Sequence, residues 1–318
     1  MTHACQILLT IQSVFESATV ESEKVNALTF RFIIAGSFIF LLVAGLLVYV
    51  SVKFRARLAD AEPIQARRNI KAEVAMIGIP FLMVAFFFYL TIKTMEATEP
   101  SVYNQKPDII IIAHQWWWEA RYPAKNAVTA NEIHIPVQKK ILLRLNSADV
   151  IHDWWVPSFG PKMDMVPGIN NYLWLYIRKP GIYEGTCSEF CGAQHAWMRI
   201  RVIAQDTVDF QKWLTAAAMP ARQPATAPAL SGRAIFMGLT CAGCHAVRGT
   251  IARGRAGPDL THLASRKTLL SGKMENTDEN LGKWLSHPQK IKPGAHMPDF
   301  ILNKDTLTAL VTYLHTLQ

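Results

Sequence analysis

Cysteine is scarce in this sequence of 318 residues. The five present, Cys5, Cys187, Cys191, Cys241 and Cys244, are too few to staple a small secreted scaffold, which would be short and cysteine-dense. Four of them form two close pairs, and such pairs inside a long chain hold a metal or a covalent cofactor more often than a bridge. Cys5 stands alone. A lipid-attachment site there would need an apolar stretch before it, and with four residues preceding it an incidental thiol is expected instead. A small-residue cleavage site is missing after the first long apolar run, which is also too long and starts too late for a cleaved signal peptide. Nor is there a charge pattern that suggests nucleic acid as a partner.

What the sequence does have is apolar content: 50% of residues are hydrophobic and the mean hydropathy is +0.13, high for a purely soluble protein. Residues Phe32 to Val52 form an uncharged run of 21, and Val74 to Ile92 a second of 19 that contains Pro80. Each is long enough to cross a hydrocarbon core as a helix at about 1.5 Å per residue. A proline is tolerated there if neighbours satisfy the freed carbonyl. Helices over about 30–52 and 73–93 are expected, making a hairpin within residues 1–94. The connection carries Lys53, Arg55, Arg57, Arg67, Arg68 and Lys71 against Asp60 and Glu62, a bias that marks the cytoplasmic side. Both termini and everything after about residue 94 then lie on the periplasmic or outer face of a bacterial cytoplasmic membrane, in contact with lipid at the hairpin.

From about Asp108 to Ala204 the pattern changes to short runs rich in β-branched and aromatic residues: IIIIAHQWWWEARY, EIHIPVQ, KILLRLNS, NYLWLYI and MRIRVIA. Period-two alternation between Pro, Gly and Asn breaks predicts a small Greek-key sandwich or barrel over 95–215. Within it, Cys187, Cys191, His195 and Met198 fall inside twelve residues. Thiolate, imidazole and thioether together are the soft ligand set of copper electron-transfer sites, and two thiolates four apart can each bridge two ions. His152 is the best further ligand. A zinc site from Cys187, Cys191, His195 and His152, or a disulfide, are the alternatives; neither uses Met198.

Residues 216–229 read AAAMPARQPATAPA, an Ala/Pro linker without apolar periodicity that would let the next domain pivot. Cys241-Ala242-Gly243-Cys244-His245 is a C-x-x-C-H motif, placing two thiols for addition to haem vinyl groups and an imidazole for the iron. The alternative is a redox C-x-x-C beside an incidental histidine. A short helix over Ser231 to Met237 precedes the motif and a terminal helix over 304–317 closes the domain, 230–318. Met297 fits the distal haem ligand, with His296 as competitor; thioether opposite imidazole raises the potential. Met274 reads as surface or core. This domain holds eleven Lys/Arg against six Asp/Glu, and residues 100–215 twelve against ten.

Residues 30 to about 215 resemble cytochrome c oxidase subunit II, whose loop C-S-E-x-C-G-x-x-H-x-x-M is matched from Cys187 to Met198. The fusion to a segment resembling class I cytochrome c suggests a caa-type haem-copper oxidase. The resemblance implies a cupredoxin-like domain with a binuclear CuA centre, bridged by Cys187 and Cys191. His152 and Met198 would complete one copper; His195 and the Glu189 backbone carbonyl would complete the other. It also implies that Trp116, in Ala113-His114-Gln115-Trp116-Trp117-Trp118, receives electrons, with Trp117 where tyrosine is usual. The Glu189 side chain would bind magnesium at the contact with subunit I. Glu73, seven residues before Pro80, would stand at the entrance of a proton channel.

By the same resemblance the chain is an electron-input subunit of a respiratory terminal oxidase coupled to proton translocation. Its partners would be subunits I and III, with cytochrome c or a quinol–cytochrome c reductase-type complex as donor. No oxygen-reducing site is expected here, since that needs histidines on transmembrane helices and neither apolar run has one. A nitric oxide reductase sharing the module, or a membrane electron carrier with no enzyme partner, are the alternatives.

Overall fold

A computed structural model describes residues 14–55, 68–98 and 105–318. Cys5, Arg57, Asp60, Glu62 and Arg67 lie outside the described residues.

Two long helices, α1 (Val20–Lys53) and α2 (Ile70–Thr98), make up one compact unit. Both are long and apolar enough to cross a membrane. They run further than the apolar stretches alone suggest, because hydropathy marks what suits lipid, whereas helical hydrogen bonding continues through polar flanks such as Glu21 to Asn26. Phe32 stacks on Phe87 with ring centroids 4.3 Å apart, and Lys24 Nζ donates to the Ala97 carbonyl at 3.1 Å. α2 continues through Pro80.

The second unit begins with a β-sandwich. Its strands are β1 (Ile109–His114), β2 (Trp117–Tyr122), β3 (Ala127–Ala130), β4 (Glu132–Pro136), β5 (Lys140–Ser147), β6 (His152–Trp155), β7 (Met163–Met165), β8 (Asn171–Tyr176), β9 (Gly181–Cys187) and β10 (Arg199–Gln205). One sheet has the order β3-β2-β1-β5-β8 and the other β4-β10-β9-β6-β7. β1–β5 and β4–β10 pair in parallel and the remaining neighbours antiparallel. The run from Ile109 to Tyr122 is a hairpin rather than one strand, with β1 and β2 paired from His114↔Trp117 outward. Alternate residues of both inner faces, among them Ile111, Leu143, Trp154, Leu175 and Val202, close a dry core, which is the layer packing two half-apolar sheets require. α3 (Thr207–Ala217) follows, its N-terminus capped by Asp206, whose carboxylate accepts from Asp209 N.

Residues 216–229 do not form the pivoting linker that their composition suggests. α3 takes the first of them, and α4 (Ala227–Gly238) takes the last, capped by Thr226. Those between are pinned: Ala221 N donates to Arg248 O and Arg222 N to Gln318 O, and Ala221 is buried. A chain lacking periodicity still docks when its backbone groups find partners.

The C-terminal domain continues with α5 (Cys241–Cys244), the two-residue strands β11 (Thr268–Leu269) and β12 (Met274–Glu275), α6 (Asp278–Ser286), α7 (Pro288–Ile291) and α8 (Lys304–Leu314). α4 and α8 cross at Gly232, where an added Cβ would fall 1.9 Å from the Ala309 carbonyl oxygen. Phe236, Leu281, Leu310 and Tyr313 form the core, and Met274 and Met297 pack against its edge.

One histidine in the sandwich gives the fold a pH dependence. His134 on β4 stacks on Trp213 at 3.8 Å, and its Nδ1 meets Gln205 Oε1 at 2.7 Å. Burial pushes its pKa down from 6.5 to about 4, with the Gln205 contact opposing. Between those values the unfolded chain binds a proton that the folded one does not, so stability falls as pH drops from about 6.5 towards 4. The loss is at most roughly 3 kcal/mol. His134→Gln (H134Q) is expected to flatten that part of a urea-midpoint profile; equal slopes in both proteins would rule this out.

Candidate metal centre and haem cavity

The soft-ligand loop connects β9 to β10, and the register Trp154↔Cys187 sets its first cysteine beside β6, which His152 opens. The ligand atoms of His152, Cys187 and Cys191 lie within 4.8 Å of one another and all three residues are buried. Cys187 Sγ is 3.8 Å from Cys191 Sγ, 3.8 Å from His152 Nδ1 and 3.2 Å from the Glu189 carbonyl. Cys191 Sγ is 3.6 Å from His195 Nδ1 and 3.8 Å from Met198 Sδ. The thiols are free, so the disulfide alternative is not formed.

This donor set fits a pair of soft cations. Hydrogen bonding from Cys191, helped by His152, outweighs burial and favours the thiolate on Cys187; that thiolate in turn pushes the Cys191 thiol up. Cys191 therefore ionises beside that thiolate only with positive charge close to the two sulfurs, and the thioether of Met198 favours copper over zinc.

Asp149, which the sequence did not single out, aims the site. Its carboxylate meets His152 Nε2 at 2.8 Å, leaving Nδ1 towards the sulfurs, and accepts from Gln115 N at 2.6 Å and Val150 N at 2.7 Å. Burial works against ionisation, but these hydrogen bonds prevail and hold the carboxyl below its usual range. A carboxylate behind a ligating imidazole fixes tautomer and orientation.

Trp116 and Trp117 are both nearly buried, at 7% and 8% exposure. Trp116 Nε1 donates to the Cys191 carbonyl at 2.9 Å, and Gln115 Nε2 donates to the same oxygen at 2.8 Å. The ring lies so close to the ligand loop that a Cβ added at Gly192 would meet it at 3.0 Å, and the backbone there, at φ +114°, itself favours glycine. Trp117 stacks on His114 at 4.0 Å. The side chain of Glu189 is exposed and turned to the Phe190 amide. Glu73 stands in the first turn of α2, half-exposed and 3.8 Å from Arg68 Nε.

A largely apolar cavity with about 1410 Å³ of empty space, part of it open to solvent, lies between the two domains of the second unit. Cys241, Cys244, His245 and Met297 line it from one domain, Trp116 and Trp117 from the other. His245 Nδ1 is engaged by the Pro258 carbonyl at 2.8 Å, so Nε2 is the nitrogen left for a metal. Burial lowers its pKa and keeps the imidazole neutral, with the Pro258 contact opposing. Gly257 backs the ring, since an added Cβ would come within 2.4 Å of it. The Met297 loop is held by a second residue that sequence reading missed: Gln289 Nε2 donates to the Ala295 and Met297 carbonyls at 2.6 and 2.7 Å, and its Oε1 accepts from Gly294 N at 3.0 Å. His296 also lines the cavity, but it is exposed, with its ring 6.1 Å from that of Trp116. Shape, apolar lining and an oriented neutral imidazole beside two thiols fit a covalently held haem.

Two helices suited to a membrane, a sandwich with a buried cysteine pair and a helical domain that lines an apolar cavity with a C-x-x-C-H motif define a class, the membrane-anchored redox proteins. Residues 124–205 match the family described as cytochrome c oxidase subunit II, periplasmic domain, and residues 229–318 match cytochrome c. The chain is 32% identical to cytochrome c oxidase subunit 2 of Alkalihalophilus pseudofirmus over 296 residues, covering 90% of this chain and 85% of the relative. It is 30% identical to the corresponding protein of Bacillus sp. (strain PS3) over 286 residues, covering 83% and 80%. The crystal structure of the periplasmic domain of subunit II of the Bradyrhizobium japonicum cytochrome oxidase is 33% identical, covers 36% of this chain and 95% of that one, and superposes with a TM-score of 0.34. The chain belongs to the cytochrome c oxidase subunit II family and carries a cytochrome c domain as its C-terminal part. Membership implies copper in the sandwich, haem c in the C-terminal domain and subunit I of a haem-copper oxidase as partner.

Proposed function

We propose that this chain takes electrons in at its cytochrome domain and delivers them, across the sandwich, to subunit I of a respiratory oxidase that reduces oxygen and translocates protons. The observation that supports this most directly is Trp116, which lines the haem cavity and also donates to the Cys191 carbonyl. When bound, haem and paired copper supply reversible one-electron acceptance and release. Cys241 and Cys244 would hold the haem covalently, with His245 and Met297 on its iron. Cys187 and Cys191 would bridge the coppers, with His152, Met198, His195 and the Glu189 carbonyl as end ligands.

The chain's own residues do the rest. Asp149 and Pro258 each fix one ring nitrogen of a ligating histidine, so little has to reorganise when charge arrives. Trp116, nearly buried, joins the cavity lining to the ligand loop through the Cys191 carbonyl, which Gln115 also holds. In this reading Glu73 offers a carboxylate at the membrane edge for protons shared with subunit I. Metal and haem analysis of the full-length chain in detergent is expected to give two coppers and one covalent haem, with an electron paramagnetic resonance signal shared over two copper nuclei. Zinc, or a single isolated copper, would remove the paired-copper assignment and leave the cytochrome standing.

A further inference from the structure

Glu132 opens β4, an edge strand of its sheet, which among the described residues pairs with β10 alone. It is 2% exposed. Within its own domain its carboxylate has Arg201 Nε at 4.0 Å, beyond hydrogen-bond reach. Its hydrogen bonds come from the cytochrome domain: Lys267 N at 3.0 and 3.1 Å, Thr268 N at 2.9 Å and Thr268 Oγ1 at 2.9 Å. A second charge is buried in the opposite direction. Lys292 of the cytochrome domain is 4% exposed and its ammonium donates to the Trp116 carbonyl at 2.7 Å. Ser271 Oγ, also buried, lies 3.1 Å from that carbonyl and 3.0 Å from Asn131 Oδ1, with one proton to donate between them, while Gln194 Nε2 donates to the Pro293 carbonyl at 2.7 Å.

We infer that Glu132 and Lys292 are positioning residues: together they latch the cytochrome domain onto the sandwich so that the haem cavity stays closed against Trp116 rather than swinging on its connection. Taking a carboxylate or an ammonium out of water is costly unless charge-assisted hydrogen bonds replace the hydration. Here the replacing hydrogen bonds sit on the other domain, so undocking has to exchange all of them for water together, leaving Glu132 only Arg201 at 4.0 Å within its own domain. A domain that docked only in passing would have to desolvate both charges at every encounter. The latch matters to electron transfer only under the functional reading above, but its existence does not depend on that reading.

Hydrogen exchange followed by mass spectrometry on the intact oxidase tests it directly. In the natural protein the amides of residues 267–272 and 291–295 are expected to exchange as slowly as those of core helix α8. Glu132→Ala and Lys292→Met are each expected to speed exchange in both segments at least tenfold while α4 and α8 stay protected, and Glu132→Gln, which keeps an acceptor oxygen, to restore part of the protection. The latch also predicts haem-to-copper equilibration that is independent of solvent viscosity in the natural protein and viscosity-dependent in Lys292→Met. Fast exchange of 267–272 in the natural protein, or unchanged exchange in both variants, would overturn the latch. A protected interface without electron equilibration would instead count against the functional reading and leave the latch intact.

Discussion

Cys191→Ser (C191S) is expected to cost the purified chain at least one of its two coppers and to lower donor-driven oxygen consumption by on the order of 10³ or more. Changes one shell out from a metal typically cost about 10–100-fold in affinity or activity, and Cys191 sits inside that shell, its sulfur within 4 Å of Cys187, His195 and Met198 at once. A serine oxygen is harder and less easily ionised, and it bridges soft ions poorly. Unfolding is not the cause to expect: exchanging a buried thiol for a hydroxyl costs about 1–3 kcal/mol if the hydroxyl finds no partner, small beside the core of two five-stranded sheets. Asp149→Asn should fall in the milder range of about 10–100-fold, because the imidazole keeps a neighbour but loses its charge. Metal content, turnover and near-ultraviolet circular dichroism on the same preparations decide the matter. A C191S chain that keeps two coppers and full turnover would show that Cys191 is not a bridging ligand.

That the side chains of the candidate ligand loop gather was legible from the sequence because the pattern is local. Cys187, Glu189, Cys191, His195 and Met198 lie close along the chain, and a short loop has few ways to keep their ligand atoms apart. The approach of His152 to that loop was legible for a different reason: an early strand is what a sandwich places beside the loop joining its last two strands. Asp149 and Gln289 were not. Their roles are hydrogen bonds to the groups that hold a ligand, and Asp and Gln are common enough in loops that nothing in composition or spacing marks them.

The connection at 216–229 misled for the same physical reason in reverse. Ala and Pro carry little burial energy, so the segment reads as free, yet its fate is decided by Arg248 and Gln318, whose carbonyls take its amides from far along the chain. The contacts of Glu132 with Lys267 and Thr268 were equally invisible, since they join residues more than 130 positions apart. Domain identity could be read from local pattern; domain docking could not, because it is a property of two surfaces.

Met297→His (M297H) should leave the haem attached through Cys241 and Cys244 but lower its reduction potential by on the order of 0.2 V, within the roughly 0.8 V span that axial ligands cover. Thioether stabilises the reduced iron relative to a second imidazole, which is why the methionine suits a carrier near an oxidase. At about 59 mV per tenfold for one electron, that drop shifts electron sharing with a donor by roughly three to four decades against the haem. Turnover with a cytochrome donor should therefore collapse, while direct reduction of the copper by a small chemical reductant should proceed unchanged. The geometry favours Met297 over its neighbour: Met297 packs against the domain core and its carbonyl is clamped by Gln289, whereas His296 is exposed, with its ring 6.1 Å from that of Trp116. If His296 were the ligand, M297H would leave the potential where it was and His296→Met would raise it, so redox titration of the two variants separates the assignments.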